Sequence, residues 1–303
     1  MRELHAGPPA VREIGDYVFG GGGKRLRPAL LLVVSRMLSY GGDRDVRYGA
    51  VIEMIHTATL IHDDIIDHAQ VRRGRPTANN RWGNQLTVLL GDWLYARSID
   101  LALEADDVAV MKILSKATVG MIEGEILGQA TCHRADVTRE QYLEIVGHKT
   151  GELFAAACSI PALFEPEYSR FLKPLADYGY NLGVCFQIVD DVLDITGSQQ
   201  RLGKPVLSDL REGKITLPFI LAWPHLDEAQ RRLVEDVLTR GEMSTTSPDE
   251  LRALLERHNV IEEAVASAAA YGRLAEVALA ELPQGLERDA LAGAPGFLLQ
   301  RDT

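Results

Sequence analysis

The chain repeats one spacing of carboxylates: Asp63-Asp64-Ile65-Ile66-Asp67 and, far downstream, Asp190-Asp191-Val192-Leu193-Asp194. On an α-helix, positions four apart share a face about 5.4 Å apart along the axis, so Asp63 stacks on Asp67 and Asp190 on Asp194. Like charges at that spacing weaken an isolated helix. One acidic triplet is ordinarily a solvated face. Here both triplets follow apolar stretches, Thr57-Ala58-Thr59-Leu60-Ile61 and Cys185-Phe186-Gln187-Ile188-Val189, which sets the carboxylates at the end of buried helical surface. A fold that does this twice needs positive charge between the clusters. Hard oxygen donors of this kind suit Mg²⁺, which takes one or two carboxylates and completes its shell with water and substrate phosphates.

The apolar spacing is helical almost throughout. Residues 29–38, 50–61 and 86–103 are rich in Leu, Ala, Ile and Val without strict alternation. Thr138-Arg139-Glu140-Gln141 is a capping box with Val137 as a staple, and it opens a helix through Tyr142, Ile145 and Lys149. Ser247-Pro248-Asp249-Glu250 is a second box, with Pro at the first helical position. Hairpin signals between alternating strands are missing. The expectation is an all-α fold, residues 1–303 as one domain, with several helices apolar over much of their circumference as in the centre of a large bundle. Apolar surface on 86–103, continued by Val119, Met121, Ile122, Ile126 and Leu127, exceeds what one bundle interior needs and predicts a homodimer.

Composition removes several function classes. A net charge of −11 argues against nucleic acid and against a polybasic membrane anchor. The first ten residues lack an apolar signal core, and no apolar run approaches the ~18 residues of a transmembrane segment. Cys132, Cys158 and Cys185 have no paired spacing and read as reduced thiols. These features predict a cytoplasmic protein.

Cations accompany each acidic cluster. Val71-Arg72-Arg73-Gly74-Arg75-Pro76-Thr77 follows the first, and Gly203-Lys204-Pro205-Val206-Leu207-Ser208-Asp209-Leu210-Arg211-Glu212-Gly213-Lys214 follows the second. Salt bridges alone would account for either one. A diphosphate shared between metal and guanidinium accounts for both, because Arg gives bidentate contacts to phosphate. Gly20-Gly21-Gly22-Gly23-Lys24-Arg25-Leu26-Arg27-Pro28 adds a glycine stop, two cations and a helix start, a combination that suits an anion as well as a plain turn. His56 lies two turns before Asp63 on nearly the same face, in phase with the anion site. Lys149-Thr150-Gly151 sits among apolar residues, where a lysine also snorkels.

The set HDDIID…RRGRPT, GGGKRLRP, FQIVDDVLD and GKPVLSDLREGK, in this order from Gly20 to Lys214, resembles the trans-prenyltransferases, or polyprenyl diphosphate synthases. The resemblance implies an isoprenoid-synthase helical bundle with a deep central cavity, usually homodimeric. It implies that Lys24, Arg27, His56 and Arg73 hold the diphosphate of isopentenyl diphosphate, and that Arg72, Lys149, Lys204 and Lys214 hold an allylic diphosphate. Asp63, Asp67 and Asp190 would ligate three Mg²⁺ ions, with Asp64, Asp191 and Asp194 in or near the metal's outer shell. Thr150 and Gln187 would steady a carbocation. The alternatives are a class I terpene cyclase, whose second metal motif is usually built from Asn, Ser and Glu, and a non-catalytic synthase subunit, which loses the aspartates. Within the family, residues four and five before the first aspartate help set the cavity floor. Here they are Thr59 and Ala58, both small, with Ile55 below, and they point to a product of roughly thirty to fifty carbons; a farnesyl or geranylgeranyl product is the alternative.

Overall fold

Helix is the form nearly the whole chain takes, as its apolar spacing predicts. The computed structural model describes residues 2–197, 205–244 and 246–300. A short 3₁₀ turn leads into α1 (Pro9–Phe19), α2 (Leu26–Met37) and α3 (Arg44–Ile66). Then come α4 (Ala78–Trp82), α5 (Asn84–Leu103), α6 (Val108–Ala130), α7 (Arg139–Val146), α8 (Glu152–Ser159) and α9 (Leu172–Thr196). The C-terminal part holds α10 (Ser208–Arg211), α11 (Leu217–Ala222), α12 (Glu228–Arg240), α13 (Pro248–Arg257), α14 (Val260–Ala278) and α15 (Leu286–Leu299). Among the described residues, no helix is long and apolar enough to cross a membrane.

Both expected capping boxes form, at Thr138 with Gln141 and at Ser247 with Glu250; a third, Asp227 with Gln230, opens α12. Val137 and Tyr142 are buried in one core cluster, as a staple requires.

Two local features depart from the expectation of uninterrupted helix. The arginine segment is a small antiparallel hairpin, β1 (Val71–Arg72) paired with β2 (Arg75–Pro76). Its two turn residues, Arg73 and Gly74, both take positive φ, 53° and 72°, as a two-residue hairpin demands. The strands are too short to show alternation, which is why the sequence carried no strand signal. The second departure is a π-helical turn, Gly147–Gly151, between α7 and α8. It carries Lys149 and Thr150 and widens the helix where such turns often serve a site.

The interior has two apolar clusters. One gathers α3 with α5 and α6 and includes Ile52, Ile55, Ala58, Leu90, Leu94, Leu114 and Met121. The other surrounds α9, with α11, α13 and α14 against it. Both α3 and α9 are buried on most sides, so each can present polar residues only near its end. The acidic clusters lie there: Asp63 and Asp64 in the last turn of α3, Asp67 capping it, and Asp190 to Asp194 in the last two turns of α9.

Close approach between α8 and α9 holds this arrangement. At Gly179 an added Cβ would lie 2.4 Å from the Phe154 carbonyl oxygen and 2.8 Å from Ala155 Cα, both backbone atoms that cannot yield. Gly179→Ala should therefore cost about 1–3 kcal/mol through overpacking. Gly293→Ala, with open space around the new methyl, should be neutral or slightly stabilising on helix propensity. Urea denaturation of the two variants checks this; equal stabilities would show that α9 does not depend on the contact.

Candidate active site

The end of α3 is where cations converge. Lys149, from the π turn, places Nζ 3.5 Å from Asp63 Oδ2 and also contacts Glu125 of α6. Lys214, just past α10, places Nζ 2.7 Å from Asp67 Oδ2 and 3.0 Å from Glu212 Oε2. Two aspartates one turn apart thus each meet a lysine brought in from a different segment, and each lysine is backed by a glutamate. Burial would lower the Lys149 pKa, but Asp63 and Glu125 outweigh it and raise the value; Glu212 and Asp67 do the same for Lys214. Both amines stay charged. Burial raises the Asp63 carboxyl, with Lys149 pulling the other way.

Asp64 is buried and turned from this pair. It meets Arg72 Nε at 2.5 Å, and burial raises its pKa against the pull of that guanidinium. Arg73 donates to the Gly22 carbonyl, which ties the hairpin to the glycine turn.

Arg27 and His56 form a second centre. Arg27 Nη1 lies 3.1 Å from His56 Nε2, and the guanidinium lies 4.5 Å from the Phe154 ring centroid. Arginine can only donate, so Nε2 accepts and the ring proton sits on Nδ1. Burial, then Arg27, Arg73 and Arg72, hold the His56 pKa well below its ordinary value, so the ring is neutral near pH 7. Burial lowers Arg27 to about 10 despite Glu53 and Asp190, which still leaves it protonated. Its Nε is buried with no hydrogen-bond partner. Lys24 is exposed, with Nζ 5.6 Å from the Phe186 ring centroid.

The second acidic cluster divides its labour. Asp191 accepts from Tyr142 Oη at 2.6 Å and from Gln187 Nε2 at 2.8 Å, and Gln187 Oε1 accepts from Thr150 Oγ1 at 2.8 Å. Burial, then Asp209, push Asp191 up to about 8 against those two donors. Asp194 accepts from Ser208 Oγ at 2.7 Å and the Asp209 amide at 3.1 Å, so it caps α10 and anchors the segment that ends at Lys214. Asp190 is only partly buried and acts electrostatically on Arg27 and Asp191.

The expected residues therefore fall into a carboxylate–lysine centre (Asp63, Asp67, Lys149, Lys214), a guanidinium–imidazole centre (Arg27, His56, with Arg72 and Arg73 beside it) and a polar chain (Thr150, Gln187, Asp191). Lys204 lies outside the described residues. Ile55 and Ala58 are 1% and 3% exposed, shut into the core, while Thr59 is half-buried and turns its hydroxyl onto the His56 carbonyl at 2.9 Å. Sequence reasoning missed Tyr142, Glu125, Glu212 and Ser208. Beside Glu125, Gly124 lets the π turn come close: an added Cβ there would lie 2.6 Å from the Lys149 amide nitrogen.

Residues 8–256 match the polyprenyl synthetase family. Octaprenyl diphosphate synthase from Escherichia coli is 34% identical over 305 residues, covering 100% of this chain and 93% of that protein. Geranylgeranyl diphosphate synthase from Sulfolobus acidocaldarius is 37% identical over 235 residues, 75% of this chain and 71% of that one. A polyprenyl synthase from Caulobacter crescentus, solved with calcium and isoprenyl diphosphate, superposes with a TM-score of 0.93 at 34% identity, covering 100% of this chain and 92% of that one.

Proposed function

The chain belongs to the polyprenyl synthetase family and is a prenyltransferase, and from that premise we propose that it condenses isopentenyl diphosphate with an allylic diphosphate to build a long polyprenyl diphosphate. The observation that carries the reading is the pairing of Lys149 with Asp63 and of Lys214 with Asp67. Carboxylates stacked at a helix C-terminus, where the dipole is also negative, are held by cations that can turn to an anionic substrate.

Mg²⁺ fits this donor set. Among the described residues, no group of three His, Cys, Asp or Glu side chains holds an ion by itself. Mg²⁺ takes one or two carboxylates per ion and the rest of its shell from diphosphate and water. Asp63, Asp67 and Asp190 are the proposed ligands for three ions. Asp64, Asp191 and Asp194, already engaged by Arg72, Tyr142 and Ser208, position the helix ends. When bound, the metal supplies Lewis-acid neutralisation of diphosphate charge.

The protein's own groups carry the remaining work. Lys149, Lys214, Arg72 and Lys204 take the allylic diphosphate and stabilise the charge that grows on it as the allylic C–O bond breaks. Lys24, Arg27, His56 and Arg73 hold isopentenyl diphosphate; the unpartnered Nε of Arg27 is a donor ready for phosphate oxygen. The oxygens of Thr150 and Gln187, fixed by the chain to Asp191, steady the allylic cation. The double bond of isopentenyl diphosphate attacks it, and the proton lost in the last step goes to the departing diphosphate. No nucleophilic side chain is required.

Asp63→Ala and Asp190→Ala should each lower turnover by on the order of 10²-fold, the effect of removing a major electrostatic stabiliser. EDTA should abolish incorporation of isopentenyl diphosphate and Mg²⁺ restore it. Full turnover in the chelated enzyme would contradict the reading.

Product length follows from the small side chains before Asp63. Neither Ala58 nor the half-buried Thr59 puts an aromatic ring beside Asp63, and a product of roughly thirty to fifty carbons fits these small side chains better than a geranylgeranyl chain. Ala58→Phe should release shorter products, with a stability cost of about 1–3 kcal/mol since the site is already packed. Chromatography of products from a variant shown to be folded by circular dichroism decides; an unchanged length distribution would place the tail elsewhere.

Assembly rests on exposed apolar side chains along α5 and α6: Leu86, Val88, Leu89 and Tyr95 with Val119, Ile122 and Ile126. Met121, expected on the same surface, is buried in the protein's own core, and Leu127 is half-buried. We expect a homodimer, with a light-scattering mass about twice 33.3 kDa. A concentration-independent monomer would reject it.

A further inference from the structure

Glu125 and Glu212 are not among the proposed metal or diphosphate ligands, yet each sits behind one of the two lysines at the end of α3. The two arrangements share one plan. Lys149 Nζ lies between Asp63 and Glu125, and Lys214 Nζ lies between Asp67 and Glu212. All four partners are at least partly buried, so these are not the solvent-screened pairs of a surface. Glu125 is itself held: Oε1 accepts from Gln129 Nε2 at 3.1 Å while Oε2 faces Lys149. Glu212 is tied through the Cys132 thiol, which lies 3.3 Å from the Glu212 carbonyl oxygen. The glutamates come from unrelated segments, α6 and the loop after α10, so the shared plan does not follow from local sequence.

An ammonium carries three donors on a flexible stem. With the aspartate committed to a divalent cation, a lysine left without a second carboxylate would be repelled by that cation and free to swing away. A glutamate on the far side offsets the repulsion and fixes the stem, and it leaves a donor for phosphate oxygen. We propose that Glu125 and Glu212 are positioning residues for Lys149 and Lys214, each anchoring its lysine where it meets the allylic diphosphate. This rests on the reading that those lysines bind that diphosphate.

The test is a pair of double-mutant cycles on the full-length enzyme, with steady-state KM values for farnesyl diphosphate and isopentenyl diphosphate at saturating Mg²⁺. Lys149→Met comes first; if it leaves the farnesyl diphosphate KM unchanged, the reading of Lys149 fails and the inference falls with it. Given that the lysine matters, Glu125→Gln should raise the same KM about tenfold, the size of a lost charge-assisted hydrogen bond. The isopentenyl diphosphate KM should stay within about twofold, a change smaller than one hydrogen bond is worth. Glu125→Asp should recover part of the loss. In the Lys149→Met background Glu125→Gln should add nothing, because the glutamate acts through the lysine. A Glu125→Gln effect of equal size with and without the lysine, or one that moves both substrates alike, would assign Glu125 a structural or direct metal role and overturn the proposal. Glu212→Gln with Lys214→Met forms an independent cycle with the same expectations, so a variant that fails to fold in one cycle leaves the other to decide.

Discussion

Everything at the site depends on one electrostatic constraint: two long buried helices, α3 and α9, end in carboxylates. A helix C-terminus already bears partial negative charge, so Asp63, Asp64 and Asp67 on one helix and Asp190, Asp191 and Asp194 on the other lie where acids are least favoured. The fold answers with cations from five places: the glycine turn, the first turn of α2, the hairpin, the π turn and the loop after α10. Each arrives by a device with its own geometric cause. The hairpin needs two left-handed residues to turn Arg72 towards Asp64. The π turn can press its backbone on α6 because Gly124 has no side chain. The α10 segment is pinned by Asp194, one of the acids itself, and so delivers Lys214 to Asp67.

Much of this was legible in the sequence. The helical class followed from apolar spacing, the start of α7 and α13 from capping boxes, and the nearness of cations to acids from the order of the motifs. Rotation about each helix was less legible. Neighbouring residues on a helix point about 100° apart, so Asp190 and Asp191 cannot face the same way, nor can Asp63 and Asp64. Which of each pair faces the site depends on what packs against the helix, and the motif does not contain that. Tyr142 shows the same limit: its place in a capped amphipathic helix marks it as core, and only the packing of α7 on α9 turns its hydroxyl to Asp191. The π turn was hidden because a one-residue expansion leaves the apolar rhythm of the flanking helices intact. Glu125 was hidden because its neighbours Ile122 and Ile126 are exposed and give the helix no clear polar face.

The same packing explains why the proposed chemistry needs so little from side-chain reactivity. Arg27, Lys149 and Lys214 remain protonated despite burial, and His56 remains neutral, so the site offers fixed positive charge and no strong base. Such a site suits a reaction whose difficulty is the departure of a highly charged leaving group. Asp191 is held by Tyr142 and Gln187, and in the proposed chemistry the metal-binding role falls to Asp190, the more open of these two aspartates.

The most direct test of this division is a crystal structure with Mg²⁺ and a non-hydrolysable allylic thiodiphosphate. The account predicts metal at the carboxylates of Asp63, Asp67 and Asp190, diphosphate oxygens within hydrogen-bond reach of Lys149 and Lys214, and Asp191 and Asp194 still bound to Tyr142 and Ser208. Metal coordinated by Asp191 and Asp194, or a diphosphate seated away from both lysines, would contradict it.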